Sequence, residues 1–164
     1  LGEFVERIEG IPEASKYLNY PIVSGNVSFY NETNGKNIKP TPPIGGVGLI
    51  EDYTKLMTMS LKNENNLILI VGKTLGHIDQ SSFSRIILNK KNGPPPEINL
   101  FNEKNNGNTI SELINKDLIL SAHDISTGGI LISLSEMCIA GNIGAKIEAP
   151  KSLVNLCEYF FGED

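Results

Sequence analysis

The chain has 164 residues and a mass of 17.9 kDa, and 40% of the residues are hydrophobic, 20% charged and 7% aromatic. This composition indicates a globular protein and excludes a disordered tail, a collagen and a coiled coil. The net charge of −5 argues against a nucleic-acid partner, and no apolar run is long enough to span a membrane. The sequence shows no signal-peptide pattern, and no Cys or His lies at metal-ligand spacing from Cys138 or Cys157. We therefore expect reduced thiols and a cytoplasmic location.

The chain alternates between predicted helices and predicted strands. Apolar residues recur at helical spacing through the first twenty residues and predict a helix there, in which Pro12 is an irregularity. Further helices are predicted over residues 82–88, 109–116, 129–140 and 152–161. Strands are predicted over residues 21–23, 44–50, 56–61, 66–71, 118–122 and 145–148. This mixture predicts an α+β (mixed α/β) fold.

A polar stretch rich in Gly, Asn and Pro separates the first elements from the rest. Residues 31–43 have the composition of a linker. We therefore place a domain boundary near residue 42, between residues 1–42 and residues 43–164. Both ends of the chain lie directly beside a predicted helix, and this indicates that the sequence is cut from a longer protein.

The first stretch that has the chemistry of a site follows the strand predicted at 21–23. Gly25 allows the backbone to approach a ligand. Asn26 offers a carbonyl oxygen that suits Mg²⁺, and the Ser28 hydroxyl can bond a phosphate or a substrate hydroxyl. Glu32 adds a carboxylate. A simple turn is the alternative, because Ser, Gly and Asn dominate turns for local reasons.

The second stretch lies at the start of the apolar helix predicted over 129–140. His123 next to Asp124 is a candidate oriented imidazole. Asp124 or Ser126 is available to cap the helix, and Gly128–Gly129 is available to present N–H groups to an anion. The alternative is a capped helix start with a histidine that serves structure only. The residues alone leave both interpretations open.

Both stretches resemble motifs of one enzyme family. Residues 21–33, Pro-Ile-Val-Ser-Gly-Asn-Val-Ser-Phe-Tyr-Asn-Glu-Thr, closely resemble a signature of phosphoribosylformylglycinamidine synthase. Residues 122–129, Ala-His-Asp-Ile-Ser-Thr-Gly-Gly, resemble a second motif, in which Asp usually stands in place of Thr127. Residues 41–52 are similar to the start of the next domain, and residues 161–163 to the start of a further motif. The resemblance covers essentially the whole chain.

The resemblance implies a fold and an activity. The fold is a PurM-like C-terminal-type domain over 43–164, truncated at its end. Residues 1–42 then hold the last helix and strand of a PurM-like, ATP-binding N-terminal-type domain, plus the linker. The activity is that of a ligase in de novo purine biosynthesis, which converts formylglycinamide ribonucleotide, ATP and glutamine-derived ammonia to formylglycinamidine ribonucleotide. ATP activates the amide oxygen as an iminophosphate, and ammonia displaces the phosphate.

The resemblance also implies roles for individual residues. Gly25 contacts the nucleotide ATP, Asn26 contributes to the binding of Mg²⁺, and Ser28 contacts the substrate. Thr127 departs from the family pattern, and no role is carried over to that position. His123 and Asp124 remain candidates for either a site or a cap.

Partners and limits follow from the same resemblance. The family's catalytic histidines lie outside this sequence, so we expect no synthetase activity from the chain alone. Short bacterial members work with a glutaminase subunit and a small accessory subunit. The isolated chain is expected to self-associate through apolar surface. A stand-alone nucleotide-binding domain of the same superfamily is the alternative function.

Overall fold

A computed structural model of the chain describes residues 2–27, 30, 32–39, 41–148 and 155–164. The chain divides into two units, of which the first ends at Leu49 and the second begins at Ile50. The domain boundary near residue 42 stays a prediction. Among the described helices, none is both long enough and apolar enough to cross a membrane.

The first unit begins with helix α1, Gly2–Tyr17. This helix confirms the predicted one, and it continues through Pro12 without a break. Just beyond its end, the Tyr20 amide donates to the carbonyl oxygen of Ser15 at 2.8 Å. The Tyr20 hydroxyl donates to the carbonyl oxygen of Val47 at 3.4 Å and so joins the segment after α1 to the last residues of this unit.

A short β-hairpin lies within the stretch predicted as a linker. Strands β1, Glu32–Thr33, and β2, Lys36–Asn37, are antiparallel. The two residues between them are Asn34 and Gly35, with φ of 51° and 73°. Positive φ at both central positions is the requirement of a type I′ turn, which Asn-Gly meets at low cost because both residues tolerate left-handed conformations. The linker prediction therefore missed a local hairpin.

The regular secondary structure described in the second unit is helical. Its helices are a 3₁₀ turn at Tyr53–Lys55 and the α-helices α2 Ser82–Ile86, α3 Leu100–Asn115, α4 Gly129–Gly141 and α5 Leu156–Phe161. Helices α2 and α4 confirm the helices predicted near those positions. Helix α5 ends where the helix predicted over 152–161 ends, but it begins only at Leu156, after the non-helical N-cap Asn155. Residues 149–154 lie outside the described residues.

Helix α3 is twice as long as the helix predicted over 109–116, and its cap differs. It begins at Leu100, where the side chain of Asn99 accepts from the Asn102 amide at 3.0 Å. The sequence of the helix predicted over 109–116 offers Thr109 or Ser111 as a cap, and this expectation is wrong because both residues lie inside α3. An effective N-cap satisfies amides of the first turn, and this allows the Asn-rich sequence that follows to become helical despite its weak propensity.

The six predicted strands are not found. In the described residues, the segments 21–23, 44–50, 56–61, 66–71, 118–122 and 145–148 contain no strand. Apolar and β-branched residues favour strands only where a neighbouring strand completes the hydrogen-bonded ladder. One backbone bond, from the Ala122 amide to the Thr58 carbonyl oxygen at 3.2 Å, links two of these segments. The predicted α+β fold class is compatible with the structure, which has helices and the β1–β2 hairpin.

Helix α4 is the centre of packing in the second unit. Its Ile130 and Leu134 are the buried hydrophobic residues of the described chain, and the helix packs against α5. The Leu61 amide donates to the carbonyl oxygen of Met137 in α4 at 3.2 Å. Near the start of α4, the rings of Phe83 and Phe161 stack with their centroids 4.9 Å apart. The motif at 123–129 therefore leads directly into the core helix.

Candidate functional site

The first predicted site stretch is exposed and irregular where the structure describes it. Gly25 and Asn26 lie in this stretch, and both are exposed. A Cβ built on Gly25 meets no atom within 4 Å, and the residue does not have a positive φ. Among the described residues, nothing in the fold requires glycine at this position. Ser28 lies outside the described residues, so its predicted contact with substrate stays a prediction.

The described residues do not form a magnesium site by themselves. No group of three or more His, Cys, Asp or Glu side chains lies close enough to hold a metal ion in the part of the chain that the structure describes. Mg²⁺ takes six oxygen ligands, usually one or two carboxylates with phosphates and water. Asn26 offers a single amide oxygen. It therefore fits Mg²⁺ only as one ligand among others.

The His123 imidazole is oriented by carboxylates on both sides of its ring. Its Nδ1 lies 3.1 Å from Asp124 Oδ1, and its Nε2 lies 3.0 Å from Oε2 of Glu136 in α4. The ring is 16% exposed. A neutral imidazole carries its proton on one nitrogen only, so each tautomer finds a carboxylate acceptor here. The structure thus brings together the predicted pair His123 and Asp124, with Glu136 as a third member.

Asp124 is held in its ionised form by its surroundings. The Ser126 hydroxyl lowers the pKa of the Asp124 carboxyl most, and a backbone amide and the nearby His123 lower it further. Helix α4 begins after Gly128, which has a φ of 87° and provides no side-chain cap. Neither Asp124 nor Ser126 therefore caps α4. A site role for His123 and Asp124 stays a prediction.

The backbone amide at the start of α4 already has an anionic partner. The Gly128 amide donates to Oε1 of Glu163 at 2.7 Å. The sequence suggested that Gly128–Gly129 presents N–H groups to a bound anion, but at Gly128 the acceptor is a carboxylate of the chain itself. Sequence reasoning did not assign Glu136 or Glu163 to this site. Glu136 reaches His123 only because α4 folds back toward the preceding loop, and Glu163 reaches Gly128 across 35 positions of sequence.

Replacing Ser126 with alanine is expected to raise the pKa of Asp124 toward its ordinary value, because the strongest hydrogen bond to the carboxylate is lost. A folded-state pKa below the unfolded value contributes stability above the unfolded pKa, and this contribution disappears as the pH falls through the folded pKa. The variant should therefore be less stable than wild type near neutral pH and equally stable at acid pH. NMR titration of the Asp124 carboxyl carbon measures the shift.

Ser135→Ala is the matched control for this titration. The Ser135 hydroxyl donates within α4, to the carbonyl oxygen of Leu131 at 2.7 Å. Its removal should leave the pKa of Asp124 unchanged. An equal titration curve for Asp124 in Ser126→Ala and wild type would contradict the role given to Ser126.

The chain is similar to known proteins along its whole length. It is 63% identical over 164 residues to the phosphoribosylformylglycinamidine synthase subunit PurL of Pelagibacter ubique (strain HTCC1062). It is 48% identical over 165 aligned residues to the protein of that name from Bradyrhizobium diazoefficiens, and 44% identical over 164 residues to that from Rhodopseudomonas palustris (strain BisB5). In each case the alignment covers 100% of this chain and 22% of the relative.

These similarities confirm the resemblance inferred from residues 21–33 and 122–129. The chain spans about 22% of the length of the curated relatives that it matches. In addition, residues 63–161 match the model of the family described as AIR synthase related protein, C-terminal domain. Because this match covers more than half of the sequence, the chain belongs to the AIR synthase related protein family, with the C-terminal domain at residues 63–161.

Proposed function

We propose that this chain is part of an ATP-dependent ligase of de novo purine biosynthesis. The reaction converts formylglycinamide ribonucleotide, ATP and glutamine-derived ammonia to formylglycinamidine ribonucleotide. The observation that carries the proposal is the 63% identity to a phosphoribosylformylglycinamidine synthase subunit over all 164 residues. Residues 21–33, which hold the specific signature, support the same assignment. The proposed location is the cytoplasm.

The proposed roles of the signature residues follow from their chemistry. We place Gly25 against the nucleotide, because an exposed glycine without close neighbours leaves room for a ligand to approach the backbone. Asn26 is proposed as one oxygen ligand of Mg²⁺, with the remaining ligands supplied by nucleotide phosphates, water and residues elsewhere. When bound, Mg²⁺ would neutralise phosphate charge. Ser28 is proposed to hydrogen-bond the substrate.

Partners belong to the proposal as well. The relatives are named as subunits, which supports an assembly with other chains. A glutaminase subunit and a small accessory subunit are the members we propose for it. Apolar side chains of the second unit support the proposal that further protein covers it. Leu67 is 90% exposed and Leu69 is 71% exposed, and surface of this kind is unusual unless it is covered. For the isolated chain, the same surface supports self-association.

The test is the Asn26→Ala variant of the full-length protein. We expect the Kd for Mg·ATP to rise about tenfold, which corresponds to ~1.4 kcal/mol, and synthetase activity at low Mg·ATP to fall with it. The reason is the loss of one ligand of the magnesium–nucleotide complex. Asn26 is exposed, so the fold should not change. Calorimetric titration with Mg·ATP measures the affinity, and an unchanged dependence on Mg²⁺ would contradict the role of Asn26.

Two controls complete this experiment. Asn37→Ala removes another exposed Asn from the same unit, in β2, and should leave the affinity unchanged. The 164-residue chain alone should neither bind Mg·ATP tightly nor turn over substrate. Tight binding by the chain alone would favour the alternative function of a stand-alone nucleotide-binding domain.

A further inference from the structure

One carboxylate bridges the starts of two helices in the second unit. Oε1 of Glu163 accepts from the Ser82 amide at 2.7 Å and from the Gly128 amide at 2.7 Å. Ser82 is the first residue of α2, and Gly128 directly precedes α4. Amides at helix starts have no acceptor within their own helix. Glu163 therefore supplies from a distance the acceptor that α4 does not receive from a local cap.

The segment that holds Glu163 is itself fixed by several bonds. The Glu163 amide donates to the carbonyl oxygen of His77 at 3.1 Å. The side chain of Asp164 accepts from the Thr74 hydroxyl at 2.7 Å, the Leu75 amide at 2.5 Å and the His77 amide at 3.3 Å. Bonds from the Glu163 amide and to the Asp164 side chain thus fix the backbone that carries the Glu163 carboxylate, as a rigid bridge between two helices requires.

The loop 123–128 is closed at both ends by these contacts. At one end, the Ser133 hydroxyl of α4 donates to the carbonyl oxygen of Asp124 at 3.0 Å. At the other end, Glu163 holds the Gly128 amide. The loop between them presents His123 and Asp124. Loss of the bridge would therefore release the attachment at the Gly128 end of this loop.

We infer that Glu163 is a positioning residue that holds the His123–Gly128 loop in its working conformation. The effect on turnover rests on the proposed function, because it requires this loop to belong to the synthetase site. Oε1 of Glu163 already accepts two backbone N–H groups, so this oxygen holds the backbone rather than a substrate. Glu163 acts by accepting hydrogen bonds at a fixed position between α2 and α4.

The experiment compares Glu163→Ala with Glu163→Gln in the full-length protein. The alanine variant should lose at least tenfold in kcat, with a smaller change in KM for Mg·ATP. The glutamine variant keeps a carbonyl oxygen that can accept both N–H groups, and should stay within about threefold of wild type. A folded alanine variant with wild-type kcat, or a glutamine variant as impaired as alanine, would overturn the inference.

Ser82→Pro separates the two halves of the bridge. Proline is tolerated at the first position of a helix, where its missing N–H removes only this one bond. Ser81 has φ −67° and ψ 162°, a conformation that the residue before proline favours. The variant should lose less than threefold in kcat, because the Gly128 bond remains. Ser82→Pro also keeps the inference testable if Glu163→Ala does not fold. A tenfold loss of kcat in Ser82→Pro would mean that the bond to α2, and not the bond to Gly128 before α4, carries the effect, and would overturn the inference.

Amide hydrogen exchange distinguishes this inference from the proposed function. Glu163→Ala should accelerate exchange at Gly128 at least tenfold, and Glu163→Gln should not, whatever the activity of the protein. If wild-type protein shows no synthetase turnover, the proposed function fails while the exchange result still decides the role of the bridge. Unchanged exchange at Gly128 in Glu163→Ala would overturn the inference even in an active enzyme.

Discussion

Leu134→Ala is expected to destabilise the second unit by about 2–4 kcal/mol, as large-to-small changes in a core do. Leu134 is 8% exposed, and with Ile130 it forms the buried hydrophobic part of α4. Alanine loses the transfer free energy of the removed carbons and leaves a cavity that the backbone cannot fill. The loss should appear as faster native-state hydrogen exchange of the α4 amides in the full-length protein.

Ile139→Ala in the same helix is the matched control. Ile139 is 81% exposed, so its removal leaves no cavity, and alanine is the better helix former by a few tenths of a kcal/mol. We expect exchange within α4 to stay the same or to slow slightly. Similar losses from the two variants would mean that α4 is packed by residues other than the two that are buried.

Helix positions were largely predictable because their signals are local. The N-caps of α2 and α5 are Ser81 and Asn155, whose side chains accept from amides of the first turn. Such caps need only neighbours a few residues away. The same locality applies to the hairpin, where Asn34–Gly35 is a strong turn signal. That signal was present in the sequence but was outweighed by the polar composition around it.

Strands were not predictable on the same basis, since a strand needs a partner. Residues 56–61 and 118–122 have apolar strand patterns, yet one backbone bond joins them. Pattern alone indicates where a strand is possible, and the ladder depends on neighbours brought from elsewhere. Leu67 and Leu69, exposed in a third such segment, show the same dependence.

The candidate site was predictable only in part for a related reason. His123 and Asp124 are adjacent in sequence, so their contact at 3.1 Å follows from local geometry. Glu136 reaches the other side of the imidazole because α4 folds back toward the loop that precedes it. Glu163 reaches Gly128 across 35 positions of sequence. Neither carboxylate has a spacing that a local motif would identify.

Gly129→Ala is expected to destabilise the start of α4 by about 2–5 kcal/mol, from left-handed strain and overpacking together. Gly129 has a φ of 71°, and a Cβ there would lie 2.7 Å from the carbonyl oxygen of Gly162 and 2.8 Å from that of Phe160. These contacts are with backbone, which cannot rotate away as a side chain can. The alanine therefore pushes the segment that carries Glu163 away from α4.

The matched control for Gly129→Ala is Gly107→Ala, an exposed glycine in the interior of α3. A Cβ at Gly107 meets nothing within 4 Å, so alanine should stabilise the helix by about 0.5–1 kcal/mol through its better propensity. Amide exchange in α4 and α3 of the full-length protein measures the two changes in stability. A loss of stability in Gly129→Ala and a gain in Gly107→Ala would distinguish the effect of close backbone contacts from that of helix propensity. If Gly129→Ala were neutral, the close packing of the Gly162–Asp164 segment on α4 would be wrong, and the bridge through Glu163 would lose its support.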